Sequence, residues 1–335
     1  MLAALPRRAA SAMPSCASAF SAAARCRAYS SAAKPTLGFI GLGQMGYPMA
    51  ANLARHTAQT HSLLVHDHDA ATAARFAAAH PQSASVAESA RAIAERADVL
   101  FTMLPAGKHC RSVYADIVEG LRHDALCVDC STIDVATATE IAKWVKAKGA
   151  KIVDAPVSGG TGAATAGTLT FMVGGTAADA DTARPFLEKM GKNIYHCGAN
   201  GTGQAAKICN NMMLGICMVG VSEAFTLGKN LGLAPTLLNQ ILNTSSGRSW
   251  CTDTYNPVPG INPNVPASKS YAGGFGVALM SKDMGLATAA ASQTQTPIVL
   301  GAAAEQVYKR VAAEKDCKGK DFSVVYQWMA AAGEK

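Results

Sequence analysis

The sequence predicts an α/β fold: a doubly wound parallel sheet followed by an all-α domain. Three observations predict it. Short apolar runs alternate with helically spaced segments from Thr36 to about Gly198, a Gly-x-Gly-x-x-Gly triplet follows the first run, and strand signals stop after Gly203. Parallel strands linked by helices are covered on both faces, so they read as unbroken apolar runs. The 335 residues, 49% hydrophobic and 16% charged, suffice for two such bodies and a large core.

Residues 1–29 form a segment of their own. They hold Arg7, Arg8, Arg25 and Arg27 and no acid; the first acidic residue of the chain is Asp67. Without these arginines the formal charge of +7 falls to 26 basic against 23 acidic residues, so no nucleic-acid footprint is expected. Arg-rich, Ala/Ser-rich and acid-free is the composition of a mitochondrial transit peptide, which directs the chain to the matrix. Arg27-Ala28-Tyr29 resembles a matrix-protease cleavage site. The expected division is 1–29 as transit peptide, 30–199 as nucleotide-binding domain and 200–335 as helical domain.

Candidate strands are TLGFI (36–40), SLLVH (62–66), DVLFTML (98–104), ALCVDC (125–130), KIVDAPV (151–157), TLTFMVGG (168–175) and NIYHC (193–197). Helical patterns cover about 203–232, 235–243, 276–312 and 321–332, interrupted by the irregular NPVPGINPNVPAS. The longest apolar run, Met212 to Val221, is about half the ~18 residues of a membrane span, so none is expected. Eight of the ten cysteines follow the leader without framework spacing, and Cys127-Val-Asp-Cys130 is an isolated CxxC inside a strand pattern. Neither it nor His66-Asp67-His68-Asp69 has further ligand partners in sequence, so no metal site is expected.

The motifs that could carry chemistry sit at strand ends, where open α/β sheets bind ligands. Gly41, Gly43 and Gly46 form the triplet in GFIGLGQMGYPMA. Alone such spacing is weak evidence. Here it directly follows a strand, opens a helix with Pro48 in its first turn, and precedes Asp67 at the next strand end. Gly41 permits the tight turn, Gly43 lets backbone approach a pyrophosphate, and Gly46 lets helix and strand pack closely. Asp67 can accept from both ribose hydroxyls and would repel a 2′-phosphate, which predicts NAD over NADP. Leu104-Pro105 and Ser131-Thr132 end two further strands and would face the nicotinamide half. Ser158-Gly159-Gly160-Thr161-Gly162 offers many exposed amides, either as a nest for a small carboxylate or as a flexible connector.

One lysine stands out. Between Gln204 and Ser222 the only strongly polar side chains of QAAKICNNMMLGICMVGVS are Lys207, Asn210 and Asn211. Lys207 and Asn211 share a helix face. A lysine there can snorkel to water. It can also sit partly desolvated where the helix leaves the nucleotide domain, with a lowered pKa suited to proton transfer. Lys282 and Asp283, behind Phe275, read from spacing alone as a solvated face.

In order and spacing, FIGLGQMGYPMA, TMLP, STID, DAPVSGGTGAATAGTLTFMVGG, GQAAKICNNMML and LMSKDMGLA resemble the β-hydroxyacid dehydrogenase family over nearly all of the chain after the leader. The resemblance implies a Rossmann-type domain that binds NAD and a small hydroxy-acid substrate. It implies Lys207 as acid/base, Asn211 orienting the substrate, and Ser158, Gly159 and Gly160 holding its carboxylate. Gly41, Leu42, Gly43, Gln44, Met45, Gly46, Asp67, Leu104, Pro105, Thr132 and Lys282 would contact NAD, with Phe275 closing over the nicotinamide. Two positions depart from the family pattern: His109, which would contact NAD, takes the place of a usual Asn, and Val135 that of a Pro after STID. The stretch NTSSGRSWCTDTYNPVPG narrows the implied reaction to oxidation of 3-hydroxyisobutyrate to methylmalonate semialdehyde, a step of valine breakdown. A homodimer or homotetramer is implied as well. The alternatives are a reductase of glyoxylate, succinic semialdehyde or tartronate semialdehyde on the same scaffold, and a non-catalytic nucleotide-binding protein.

Overall fold

The structure, a computed structural model, describes residues 34–332; the expected leader lies outside the described residues. Strands and helices alternate through β1 (Thr36–Ile40), α1 (Gly46–Thr57), β2 (Ser62–His66), α2 (Ala70–Ala79), β3 (Ala84–Val86), α3 (Ala90–Ala94), β4 (Val99–Thr102), α4 (Gly107–Ile117), β5 (Leu126–Asp129), α5 (Val135–Ala147) and β6 (Lys151–Asp154). There follow β7 (Val157–Ser158), α6 (Gly160–Ala166), β8 (Leu169–Gly174), α7 (Ala177–Leu187) and β9 (Gly191–Gly198). Helices alone come next: α8 (Thr202–Asn230), α9 (Pro235–Thr244), α10 (Trp250–Asp253), α11 (Val277–Thr294), α12 (Val299–Ala313) and α13 (Val325–Ala332), with short 3₁₀ turns between some of them.

The sheet runs β3-β2-β1-β4-β5-β6-β8-β7, with β9 paired to β8. The first six strands are mutually parallel, so their carboxyl ends share one edge. The sheet is dominated by parallel strands, as expected, with one local reversal. β8 runs antiparallel to β6 and β7, and β9 is parallel to β8. The link from β7 to β8 carries only the two-turn α6, too short for the crossover a parallel return requires. β3 had no signal in the sequence; it is a three-residue edge strand with two exposed positions.

Two apolar layers sandwich the sheet. Leu37, Phe39, Phe101 and Val128 pack with α1 and α7 on one face, while Ile40, Leu64, Leu100 and Cys127 pack with α3, α4 and α5 on the other. A separate core of Met218, Phe225, Met280, Met284, Tyr308 and Phe322 organises the helices. α8 packs on β8 and on α11, α12 and α13. Among the described helices it is the one long and apolar enough to cross a membrane, and much of that apolar surface is taken up by this packing. The single helical pattern expected over 276–312 is broken, because Gln295 adopts a left-handed backbone (φ 55°) ahead of Pro297 and separates α11 from α12.

Two local constraints fix the ends of these elements. At the β1–α1 turn Gly41 has φ 95°, and a Cβ on Gly46 would lie 1.9 Å from the Gly41 carbonyl oxygen. In the helical half the fully buried Asp321 accepts from the Phe275 N–H (2.8 Å) and Tyr255 hydroxyl (2.9 Å) on one oxygen, and from Ser323 on the other. Gly46→Ala is therefore expected to cost about 2–4 kcal/mol in urea unfolding, since the clash is with backbone; a loss under about 0.5 kcal/mol would show that turn and helix separate freely. Asp321→Ala strands several buried donors at once and should cost about 3–5 kcal/mol. Unfolding that is unchanged by it would mean that this carboxylate does not hold the Phe275 loop.

Candidate active site

The shared carboxyl edge of the parallel strands gathers the expected nucleotide residues. Leu42 is buried and its N–H donates to Asp67 Oδ2 at 2.6 Å, which ties the glycine turn to the end of β2. Asp67 Oδ1 accepts from the Asp69 N–H at 2.9 Å. Gly43 and Gln44 are exposed, Met45 is half-buried, and a Cβ on Gly43 would meet nothing within 4 Å. No side chain caps the start of α1. Open backbone, uncapped amides and a carboxylate with lone pairs to spare fit a dinucleotide whose pyrophosphate lies over the turn and whose ribose faces Asp67.

At the next strand ends, the Leu104 N–H donates to Ser131 Oγ at 2.9 Å, and the Ser131 N–H donates to the buried Asp129 at 3.1 Å. Asp129 also accepts from Thr102 Oγ1 at 2.9 Å, and burial raises its pKa. Half-buried Thr132 offers its carbonyl to Lys282 Nζ at 2.7 Å; the Pro105 carbonyl lies 3.4 Å from the same amine. The structure thus joins Thr132, Pro105 and Lys282. His109 sits exposed in the first turn of α4. Among the described residues no hydrogen bond joins His109 or Phe275 to Lys207, Thr132 or Lys282.

α8 starts directly against this edge. Asp154, at the end of β6, accepts from the Gly201 N–H (2.7 Å) and the Gln204 N–H (3.1 Å), and burial raises its carboxyl to about 6. An acid on a helix N-terminus satisfies orphan donors and complements the helix dipole. A Cβ on Gly203 would sit 2.3 Å from the Met172 carbonyl oxygen, so α8 enters in close contact with β8.

Lys207 follows one turn later and is 7% exposed. Burial pulls its amine down from 10.5 to about 8; the Asp283 carboxylate opposes that shift and Lys282 reinforces it. Asn211, on the same face, is buried and donates to Asp283 Oδ2 at 2.5 Å, while its own oxygen accepts from Asn210 at 3.0 Å. Asp283 is 2% exposed and pairs with Lys282 at 3.1 Å. The solvated-face reading of Lys282 and Asp283 is therefore corrected. Asp283 faces Lys207 and Asn211 from α11, and the partner that buries it lies 72 residues away in sequence. The arrangement is a buried amine beside a carboxylate–amide pair, suited to moving a proton at near-neutral pH.

The SGGTG stretch is partly helical and not only a loop. Ser158 ends β7, Gly159 caps α6 with φ 134°, and Gly160 opens it with φ 67°. Glycine adopts both positive φ values without the strain a side chain would bring. Ser158 lies on a strand paired with β8, the strand on which α8 packs. Across the helical half an aromatic ladder runs from Trp250 to Tyr255 (4.7 Å), Phe322 (5.7 Å) and Phe275 (5.9 Å). It connects the NTSSGRSW stretch to the half-buried Phe275. No three His, Cys, Asp or Glu side chains cluster for a metal among the described residues.

Comparison with known proteins agrees with this geometry. Residues 36–198 match the family model for the NAD-binding domain of 6-phosphogluconate dehydrogenase, and 201–329 match that for the NAD-binding of NADP-dependent 3-hydroxyisobutyrate dehydrogenase. The mitochondrial 3-hydroxyisobutyrate dehydrogenase of Mus musculus is 49% identical over 90% of this chain and 88% of its own length. The 3-hydroxyisobutyrate dehydrogenase of Pseudomonas aeruginosa is 46% identical over 86% of this chain and 96% of its own. Among solved structures, Mycobacterium tuberculosis 3-hydroxyisobutyrate dehydrogenase with L-serine superposes with TM-score 0.82 at 40% identity, covering 88% of this chain and 99% of that one. The chain belongs to the 3-hydroxyisobutyrate dehydrogenase family.

Proposed function

We propose that this protein oxidises the primary alcohol of 3-hydroxyisobutyrate to methylmalonate semialdehyde with NAD, and that Lys207 is the acid/base. The observation that carries the reading is the buried Lys207 amine, drawn down to about 8 beside the Asn211–Asp283 pair. A lysine with an ordinary pKa would be almost wholly protonated near neutrality; with its amine lowered to about 8, this one is neutral in about a tenth of molecules at pH 7. The L-serine that accompanies the Mycobacterium tuberculosis relative is also a three-carbon-backbone acid with a primary β-hydroxyl, which supports the substrate class.

The chain's own groups divide the work. The Ser158 hydroxyl and the Gly159 and Gly160 amides hold the substrate carboxylate. Asn211 spends one amide N–H on Asp283 and has a second with which to orient the substrate hydroxyl. Neutral Lys207 removes the hydroxyl proton, and returns one in the reverse reaction. When bound, NAD would supply the acceptor for the hydride of the carbinol carbon. Gly41 to Gly46 would hold its pyrophosphate, Asp67 its ribose, and Leu104, Pro105, Thr132 and Lys282 the nicotinamide side, with Phe275 closing over it. Asp67 repels a 2′-phosphate, which favours NAD over NADP. Water exclusion and alignment are the protein's contribution to a hydride reaction that the cofactor carries.

The reading treats 30–199 as the nucleotide domain and 200–335 as its helical partner, supported by family models that meet between residues 198 and 201. It places the mature protein in the mitochondrial matrix, supported by the composition of residues 1–29 and by relatives whose names carry "mitochondrial". It also assigns a homodimer or homotetramer, supported by apolar side chains left in solvent on the helical half: Val299, Leu300, Leu227 and Leu231 are each exposed by 61–80%.

Initial rates of nicotinamide reduction test the reaction, with NAD and NADP each paired with 3-hydroxyisobutyrate, glycerate, glycolate and 4-hydroxybutyrate. The expected result is selective turnover of 3-hydroxyisobutyrate with NAD and a loss of about 10³-fold or more in kcat for Lys207→Ala. Normal turnover by Lys207→Ala would overturn the acid/base role. Preference for another acid or for NADP would overturn the substrate or the Asp67 assignment.

A further inference from the structure

We propose that Gln204 is a positioning residue for the reaction: its carboxamide fixes Lys207 relative to the Thr132 wall on which the nicotinamide side rests. This inference rests on the reaction proposed above. Gln204 is fully buried. Its Oε1 accepts from the Ile133 N–H at 3.1 Å and its Nε2 donates to the Ser131 carbonyl at 2.8 Å. Ser131 and Ile133 are the two neighbours of Thr132, so one side chain clamps the backbone on both sides of that residue.

Three further contacts make the clamp more than a packing detail. The Gln204 backbone N–H is held by Asp154 Oδ2 at 3.1 Å, so both the main chain and the side chain of this residue are fixed. Lys282, which pairs with Asp283 opposite Lys207, docks on the Thr132 carbonyl between the two clamped groups. Ser131 in turn receives the Leu104 N–H. The tripeptide Ser131-Thr132-Ile133 is therefore the common seat of β4's end, of α8 through Gln204, and of α11 through Lys282. Gln204 stands one helical turn before Lys207, on the same face, with no flexible segment between them. Any tilt or slide of α8 against the seat is transmitted directly to the amine.

The residue type follows from the task. A carboxamide presents a donor and an acceptor in one plane, while neutral at every pH. A carboxylate would lack the donor for Ser131, and Asn would be one methylene too short to span the gap. Hydride and proton transfer need the reacting groups aligned closely, and a displacement of about 1 Å far from the chemistry can cost about 10²-fold in rate.

The test uses the full chain with NAD and 3-hydroxyisobutyrate, protonated or deuterated at the hydroxymethyl carbon. Gln204→Met keeps the side chain's length and removes both hydrogen bonds; Gln204→Ala removes the side chain as well. Rates are normalised to folded sites by NADH fluorescence titration, so that partial unfolding does not count as a catalytic defect. The expected result for Gln204→Met is kcat lower by about 10- to 100-fold, NADH affinity within about 3-fold, and a primary deuterium isotope effect on kcat raised above wild type because the transfer step has become slow. Gln204→Ala should show the same signature, more strongly. If both variants keep wild-type kcat and isotope effect per folded site, Gln204 only stabilises the fold and the inference is wrong. Lys207→Ala run in parallel separates the two levels: normal turnover by that variant removes the underlying reaction, whereas inactive Lys207→Ala beside unaffected Gln204 variants removes this inference alone.

Discussion

An amine withdrawn from water resists protonation, and most features of the site act on that one constraint. Lys207 is buried on α8, and burial is the dominant influence on its titration, ahead of Asp283 and Lys282. Burial alone would be costly. Asp283, itself almost fully buried, moderates the shift and is held by Asn211 and Lys282. The carboxylate thus does two things at once: it keeps the lysine from becoming too weak a base and it fixes the amide proposed to meet the substrate. Removing it would alter both, so the pair behaves as a unit in the sense that double-mutant cycles measure.

The sheet supplies the frame for this wall. Six parallel strands bring Gly41, Asp67, Leu104, Thr132 and Asp154 to one edge, and α8 begins on Asp154 only a few residues past the last strand. Close approach is possible because glycine stands where side chains would collide, at Gly46 against Gly41 and at Gly203 against Met172. The helical half contributes from farther along the chain: Lys282 docks on the Thr132 carbonyl across 150 positions of sequence, and Asp321 anchors the Phe275 loop. The sheet edge at Ser131–Ile133 and the Asn211–Asp283 pair are thereby joined through Lys282.

Much of this was legible from the chain. The strand runs TLGFI and SLLVH coincide with β1 and β2, the glycine triplet with the open turn, and Lys207 and Asn211 with one buried helix face. What escaped was long-range or lacked a local pattern. The reversal of β8 depends on the shortness of α6, which the apolar run TLTFMVGG does not encode. Asp283 on a helix looks like any solvated acid until Asn211, 72 residues away, is seen against it. Gln204 carries no charge and no motif, and both its partners lie more than 70 residues upstream. Periodicity finds which face of an element is buried, but not which polar group waits on the other side.

The most direct measurement is the titration of Lys207 itself, followed in the intact protein by the pH dependence of its acetylation rate with mass-spectrometric readout of that site. Only the neutral amine reacts, so the rate reports the proton equilibrium without reference to turnover. A midpoint near 8, moving lower in Asp283→Asn because the carboxylate that raises it is gone, is the result predicted by the geometry. A midpoint near the ordinary 10.5, unmoved by Asp283→Asn, would mean that the amine is solvated and that a different group carries the proton.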